Sequence, residues 1–114
     1  MSYKIKTIPS FDKDFKRLYK RYRSLPDDIK QLVEDLQINP LMGVDLGNGV
    51  HKIRLGIKSK GAGKRGGARI ITHTDVVVDI KEGTILFLAL YDKSDQESIP
   101  DKIIKELLNE VGIE

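Results

Sequence analysis

Hydrophobic and polar residues change period several times along the chain, and each change predicts an element. Tyr3, Ile5 and Thr7 alternate with Lys4 and Lys6, the period of two of a short, half-buried strand suited to a sheet edge. Pro9 and Ser10 interrupt it, and Ser10 is placed to cap the helix that follows. Phe11, Phe15, Leu18, Tyr19 and Tyr22 then recur at helical spacing, predicting a helix to about Arg23 with an aromatic core stripe and a face of lysines and arginines. Asp12 and Asp14 suit its positive end. After a break at residues 24–26, a second helix opens at Pro26 with Asp27 and Asp28, and Ile29, Leu32, Val33 and Leu36 give it an apolar stripe up to Asn39-Pro40. So short a link predicts an antiparallel helical hairpin. Residues 40–49, with Gly43, Gly47 and Gly49, are expected to form a loop.

From Val50 the period of two returns, with His51, Ile53, Leu55 and Ile57 on one side and Lys52, Arg54, Gly56 and Lys58 on the other. The glycine-rich residues 59–67 are expected to connect this strand to a return strand from Ala68 to about Ile80, bringing Arg69 back beside Lys52 or Arg54. Lys81-Glu82-Gly83 predicts a tight turn. Thr84 to Tyr91 is almost continuously apolar, as in a strand covered on its faces. A polar stretch then leads to a last helix with Ile103, Ile104, Leu107, Leu108 and Val111 as its stripe and Gly112 as its stop. The order β-α-α-β-β-β-α predicts a single α+β domain over 1–114: a largely antiparallel four-stranded sheet with an N-terminal helical hairpin, a C-terminal helix, and its helices on one side.

Composition narrows the chemistry. The chain of 114 residues has no cysteine, which removes disulfides, thiolate metal sites and a cysteine nucleophile together. His51 and His73 lack acidic company at metal-ligand spacing, so no metal and no cofactor are expected. The longest apolar run, Ile85 to Leu90, is far below the roughly 20 residues of a membrane helix. With charged and apolar residues alternating at the amino terminus, a cytoplasmic protein without membrane contact is the expectation. Net charge is only +3, yet residues 51–69 hold Lys52, Arg54, Lys58, Lys60, Lys64, Arg65 and Arg69 with no acid among them. Such an unbroken cationic segment, set with glycines, points to a polyanion.

Gly61-Ala62-Gly63-Lys64 superficially resembles a phosphate-binding loop, but Lys58 stands where that motif needs glycine and Arg65 where it needs serine or threonine. Neither a Ser-His-Asp set nor paired carboxylates stand out, and the basic segment lacks the acids of a metal-dependent nuclease. Phosphate chemistry by cations alone remains. RNA carries its own nucleophile in the 2′-hydroxyl, so an enzyme need only align it, take its proton, stabilise charge on the phosphate oxygens and protonate the leaving oxygen.

Lys52-Ile53-Arg54-Leu55, the segment from Gly61 to Ile71 and the stretch from Tyr91 to Glu97 resemble the RelE/HigB-type toxins of bacterial toxin–antitoxin pairs, with the same element order along essentially the whole chain. The Gly-Lys-x-Gly-Gly-x-Arg portion is similar to the HigB branch of the RelE/ParE superfamily. The resemblance implies a ribosome-dependent, metal-independent mRNA endonuclease acting in the 30S A site, neutralised by a helix-turn-helix antitoxin. It further implies that Lys52 and Arg54 supply a base and a phosphate contact, that Arg69 stabilises the transition state, and that Lys93 holds the basic position after the last strand. Ser94 and Pro100 stand where well-known members have arginine and tyrosine, so the resemblance does not fix the general acid; Tyr91 is a candidate to substitute for that tyrosine and His73 a lesser one. Lys58, Lys60, Lys64 and Arg65 are then expected to hold RNA backbone.

Two other readings use the same residues: a non-catalytic inhibitor of DNA gyrase, as in the ParE branch, and a plain RNA-binding domain, against which the scarcity of exposed aromatics counts. The nuclease reading requires Lys52, Arg54 and Arg69 to share one reachable face, because no single residue among them can align and cleave a phosphodiester alone.

Overall fold

The structure is a computed structural model describing residues 2–61 and 63–113, apart from the side chains of Lys64 and Arg65. A five-stranded sheet runs in the order β1-β5-β4-β3-β2. β1 (Lys4–Thr7) lies at one edge, parallel to β5 (Glu82–Asp92). β5 pairs antiparallel with β4 (Ala68–Val77), which pairs antiparallel with β3 (Val50–Leu55). The additional strand is β2 (Val44–Gly47), which pairs with β3 inside the stretch expected to be a loop. Its residues are all exposed, so it carries no buried alternation from which periodicity could reveal it; only the open edge of β3 defines it.

Helices α1 (Pro9–Arg21) and α2 (Leu25–Ile38) cover one face of the sheet. Phe11 packs on Phe87 with ring centroids 5.3 Å apart, and Leu18, Leu25, Leu32 and Leu36 are buried behind it. Ser10 does not cap α1: Pro9 fixes the first turn, Ile8 is the flanking residue, and Ser10 already lies inside the helix. The helix also ends at Arg21 rather than Arg23, with the chain extended from Tyr22. Tyr19, counted in the aromatic stripe by spacing, is 41% exposed and stacks on Phe15, because its position falls at the border of the buried face.

The glycine-rich connection is folded. A 3₁₀ turn at Lys58–Lys60 is followed by α3, one helical turn at Gly63–Gly66. β4 ends at Val77, and a second 3₁₀ turn, Val78–Ile80, leads to Lys81 at φ 52°, so the tight turn begins earlier than expected. The last helix, α4 (Asp101–Glu110), buries Ile104, Leu107 and Leu108.

Strand register assigns the faces. His51 opposite Thr72, and Thr72 opposite Phe87, point to the α1–α2 side. Arg69, Ile71, Ala89 and Tyr91 point the other way and are buried as well. Ala89 and Tyr91 line a recess together with Ile103 and Leu107 of α4, so α4 closes that second face. Helices therefore cover both sides of the sheet, not one. The nearly continuous apolar run of β5 is explained by this double cover.

Candidate active site

Alternation along β3 does what the sequence predicts: His51, Ile53 and Leu55 are buried while Arg54 is exposed and Lys52 half-buried. The pairing then determines what those cations face. Arg54 lies directly opposite Arg69, and Arg69 directly opposite Tyr91, so the three form one row across three strands. Lys52 stands two residues along on the same face, opposite Ile71. Two arginines facing each other across a strand pair repel, which costs sheet stability. A local violation of this kind is characteristic of a functional site.

The start of β4 is set by Gly67. A Cβ there would come within 2.1 Å of the Leu55 carbonyl oxygen, so only glycine lets α3 run directly into the strand at the register that places Arg69. The Gly67 carbonyl also accepts a hydrogen bond from the Lys93 amide at 3.1 Å. Lys93 thus leaves β5 beside the base of β4, its side chain exposed.

Exposure divides the row. Arg54 is at the surface, but Arg69 is only 5% exposed and Tyr91 3%. The Arg69 guanidinium donates from Nη1 to the Ala68 carbonyl at 3.0 Å. The Tyr91 hydroxyl is buried without a hydrogen-bond partner among the described residues. Burial pushes the Tyr91 phenol up, partly offset by the positive charge of Arg69, so the hydroxyl keeps its proton and is available to donate it. The requirement stated for a nuclease is met in part: the side chains share a face, while reach extends to Arg54 and Lys52 and stops short of Arg69.

The remaining basic residues separate sharply. Lys58 is exposed, and its backbone amide is held by the buried Asp28 carboxylate at 3.3 and 3.4 Å. Arg54 and Lys58 also border an apolar groove of about 390 Å³ floored by Leu32, Met42, Leu55 and Ile57. Lys60 is not a free cation. Its ammonium sits 2.6 Å from the Asp92 carboxylate, 3.1 Å from Ser94 Oγ and over the ring of Tyr22. The Lys64 and Arg65 side chains, read from sequence as RNA contacts, lie outside the described residues. His51 is buried on the α1–α2 side of the sheet. His73, half-buried, shares the cationic face but lies opposite Val50, two register positions beyond Lys52. Among the described residues no cluster of three histidine or acidic side chains could hold a metal ion, and no helix is long and apolar enough to cross a membrane.

Sequence reasoning missed the acids that organise this region. Asp92 accepts hydrogen bonds from Arg21, Tyr22, Lys60 and Ser94, and Asp28 accepts from Ser24 Oγ and the Lys58 amide. Apart from the nearby Ser94 and Ser24, their partners lie about thirty to seventy residues away in the chain, so no local pattern reveals what either acid holds together.

A sheet whose interior strands β3 and β4 carry Lys52, Arg54 and Arg69 on one face, flanked by a helical hairpin and a C-terminal helix, defines a small basic α+β protein. The family profile described as RelE toxin of the RelE/RelB toxin–antitoxin system matches residues 11–111, and the chain belongs to this family. Its fold is that of E. coli toxin RelE, solved as a mutant in the free state: the TM-score is 0.57 at 12% identity, over 97% of this chain and 99% of that one. No curated protein sequence is matched. The chain is accordingly a toxin of a toxin–antitoxin system.

Proposed function

We propose that this toxin is a ribosome-dependent, metal-independent mRNA endonuclease of the cytoplasm, on the HigB-like branch of its family, neutralised by a helix-turn-helix antitoxin. The observation that carries the reading is the row formed by Arg54, Arg69 and Tyr91 with Lys52 beside it. Arg54 and Lys52 meet the phosphate first. Lys52 takes the 2′-hydroxyl proton. Arg69 supplies a fork for two phosphate oxygens as charge builds on them. Tyr91, kept protonated by burial, donates to the leaving oxygen. Lys93 and Lys58 extend the cationic surface along the RNA backbone, and Lys64 and Arg65 are assigned to the same backbone contact from their sequence positions alone. Because Arg69 and Tyr91 are buried, RNA reaches them only when the side chains over that face, those of α4 among them, move aside.

That burial favours a second reading, a non-catalytic inhibitor on the same scaffold that works through its exposed cations alone. Expression of the wild type and of a Lys52→Ala/Arg69→Ala form in bacteria separates the two. Growth arrest with cleaved mRNA, lost in the double variant, supports the nuclease. Arrest with intact mRNA and damaged DNA supports gyrase inhibition and overturns the nuclease reading.

A further inference from the structure

The carboxylate of Asp92 is fully buried, and its two oxygens are shared among donors from three separate parts of the chain. Oδ2 receives Arg21 Nη1 at 3.1 Å and the Tyr22 hydroxyl, both from the end of α1. Oδ1 receives Lys60 Nζ at 2.6 Å from the basic connection and Ser94 Oγ at 2.6 Å from the segment after β5. The Ser94 amide adds a fifth bond at 2.9 Å. Asp92 also pairs with Ala68, the residue before Arg69.

We propose that Asp92 is a positioning residue: through Lys60 it locks the connection between β3 and β4 to the end of β5, and thereby sets Arg69 in its row. The proposal rests on the nuclease reading for its effect on rate, though not for its effect on the connection itself.

The geometry explains why a lock is needed at this place. At its first end the connection is anchored to α2, where Asp28 holds the Lys58 amide and Ser24 and Ser59 exchange hydrogen bonds at 2.9 to 3.2 Å. Beyond Gly61, which has φ 74°, the chain has only one helical turn before Gly67. The glycines at both positions add no side-chain contact of their own to this half of the connection. The Lys60–Asp92 pair, buried on the acid side and 17% exposed on the lysine side, ties the last residue before Gly61 to the end of the strand carrying Tyr91, at the point where that half begins. Arg69 must be held to a fraction of an ångström for its fork to fit a phosphate, and such precision comes from supporting contacts rather than from the arginine itself. Asp92 thus engages Lys60, only 17% exposed, for order rather than for contact with RNA.

Three variants test this: Asp92→Asn, Lys60→Met and Lys60→Arg. In single-turnover cleavage on mRNA-programmed ribosomes, the first two are expected to lower the saturated rate about tenfold, with half-saturation changed less than about threefold. Lys60→Arg keeps the ion pair and retains a rate within about threefold of wild type. Asp92→Asn combined with Lys60→Met does no more harm than the worse single change, because both remove one tie. Native-state hydrogen exchange supplies a readout that needs no activity. The amides of Lys60 and Gly61, bonded to the Ile57 carbonyl, are expected to exchange about tenfold faster in Asp92→Asn, beyond any change at Ile70 or Leu88 in the core. Weakened half-saturation at an intact saturated rate would show Lys60 to be an RNA contact and overturn the proposal, as would additive effects. Unchanged relative exchange at Lys60 and Gly61 would overturn it too. If the wild type cleaves nothing, the nuclease reading has failed and the exchange experiment alone decides the role of Asp92.

Discussion

Two consecutive rungs of the β4–β5 ladder bury opposite charges on opposite faces of the sheet. Ala68 pairs with Asp92 toward α1, and Arg69 pairs with Tyr91 toward α4. The first rung is chemically closed: every direction around the Asp92 carboxylate is taken by a donor, four of them from side chains. The second is open. Arg54 faces Arg69 with like charge, and the Tyr91 hydroxyl has no partner among the described residues. A saturated buried ion belongs to architecture, whereas a buried polar group left short of partners costs stability and persists where something else is gained. Closure on one face gives a rigid base for the row on the other, in which the Tyr91 hydroxyl has no partner among the described residues.

Mutations that exchange these roles break the comparison. The largest effect is expected from Arg69→Met, which keeps most of the side-chain bulk and removes the charge. Cleavage on programmed ribosomes should fall by about a hundredfold to a thousandfold, the loss typical of one donor to a developing oxyanion, with circular dichroism showing the fold intact. A variant that cleaves at the wild-type rate would remove Arg69 from the chemistry.

Asp92→Asn is expected to act on stability, by about 2–4 kcal/mol in urea unfolding, since it leaves the largely buried Lys60 ammonium without the charge that compensates it. Its pH dependence sharpens the point. Burial alone would raise the Asp92 carboxyl, but hydrogen bonds from Lys60, Ser94 and Tyr22 outweigh it and hold the group far below its ordinary value of 3.8. A depressed folded value means that Asp92 contributes its full stability above the ordinary value. That contribution drains away as the pH falls from about 4 toward the folded value. Thermal melts of the wild type should therefore drop across that acid range, and those of Asp92→Asn should drop less. Parallel acid limbs for the two proteins would assign the loss to other carboxylates.

The smallest effect is expected from Tyr91→Phe. Deleting a buried hydroxyl without a partner should leave stability unchanged or raise it by up to about 1 kcal/mol, the opposite sign from Asp92→Asn. If Tyr91 is the general acid, cleavage falls while the protein becomes no less stable. A loss of stability would reveal a hydrogen bond that the free structure does not show, and would place Tyr91 with the architecture.

Much of the frame was legible because it depends on local periodicity. Phe11, Phe15 and Leu18 announce α1 without reference to anything distant, and the alternation of Lys52 and Arg54 against Ile53 and Leu55 fixes their separation onto opposite sides of β3 wherever that strand goes. The same logic fails for β2, whose exposed residues carry no pattern. It fails for the second face of the sheet as well, since a strand buried on both sides reads as one apolar run and does not say what covers it.

What the sequence determined by itself was which side chains travel together along one element, because that follows from backbone geometry over a few residues. What only the tertiary structure decided was who faces whom: Arg54 with Arg69 and Tyr91, Lys60 turned from a free cation into the partner of Asp92, and Arg69 enclosed rather than exposed. These relations join residues far apart in the chain through register and burial, and the charge on an arginine or a lysine looks the same in a sequence whether water, RNA or a buried carboxylate is waiting for it.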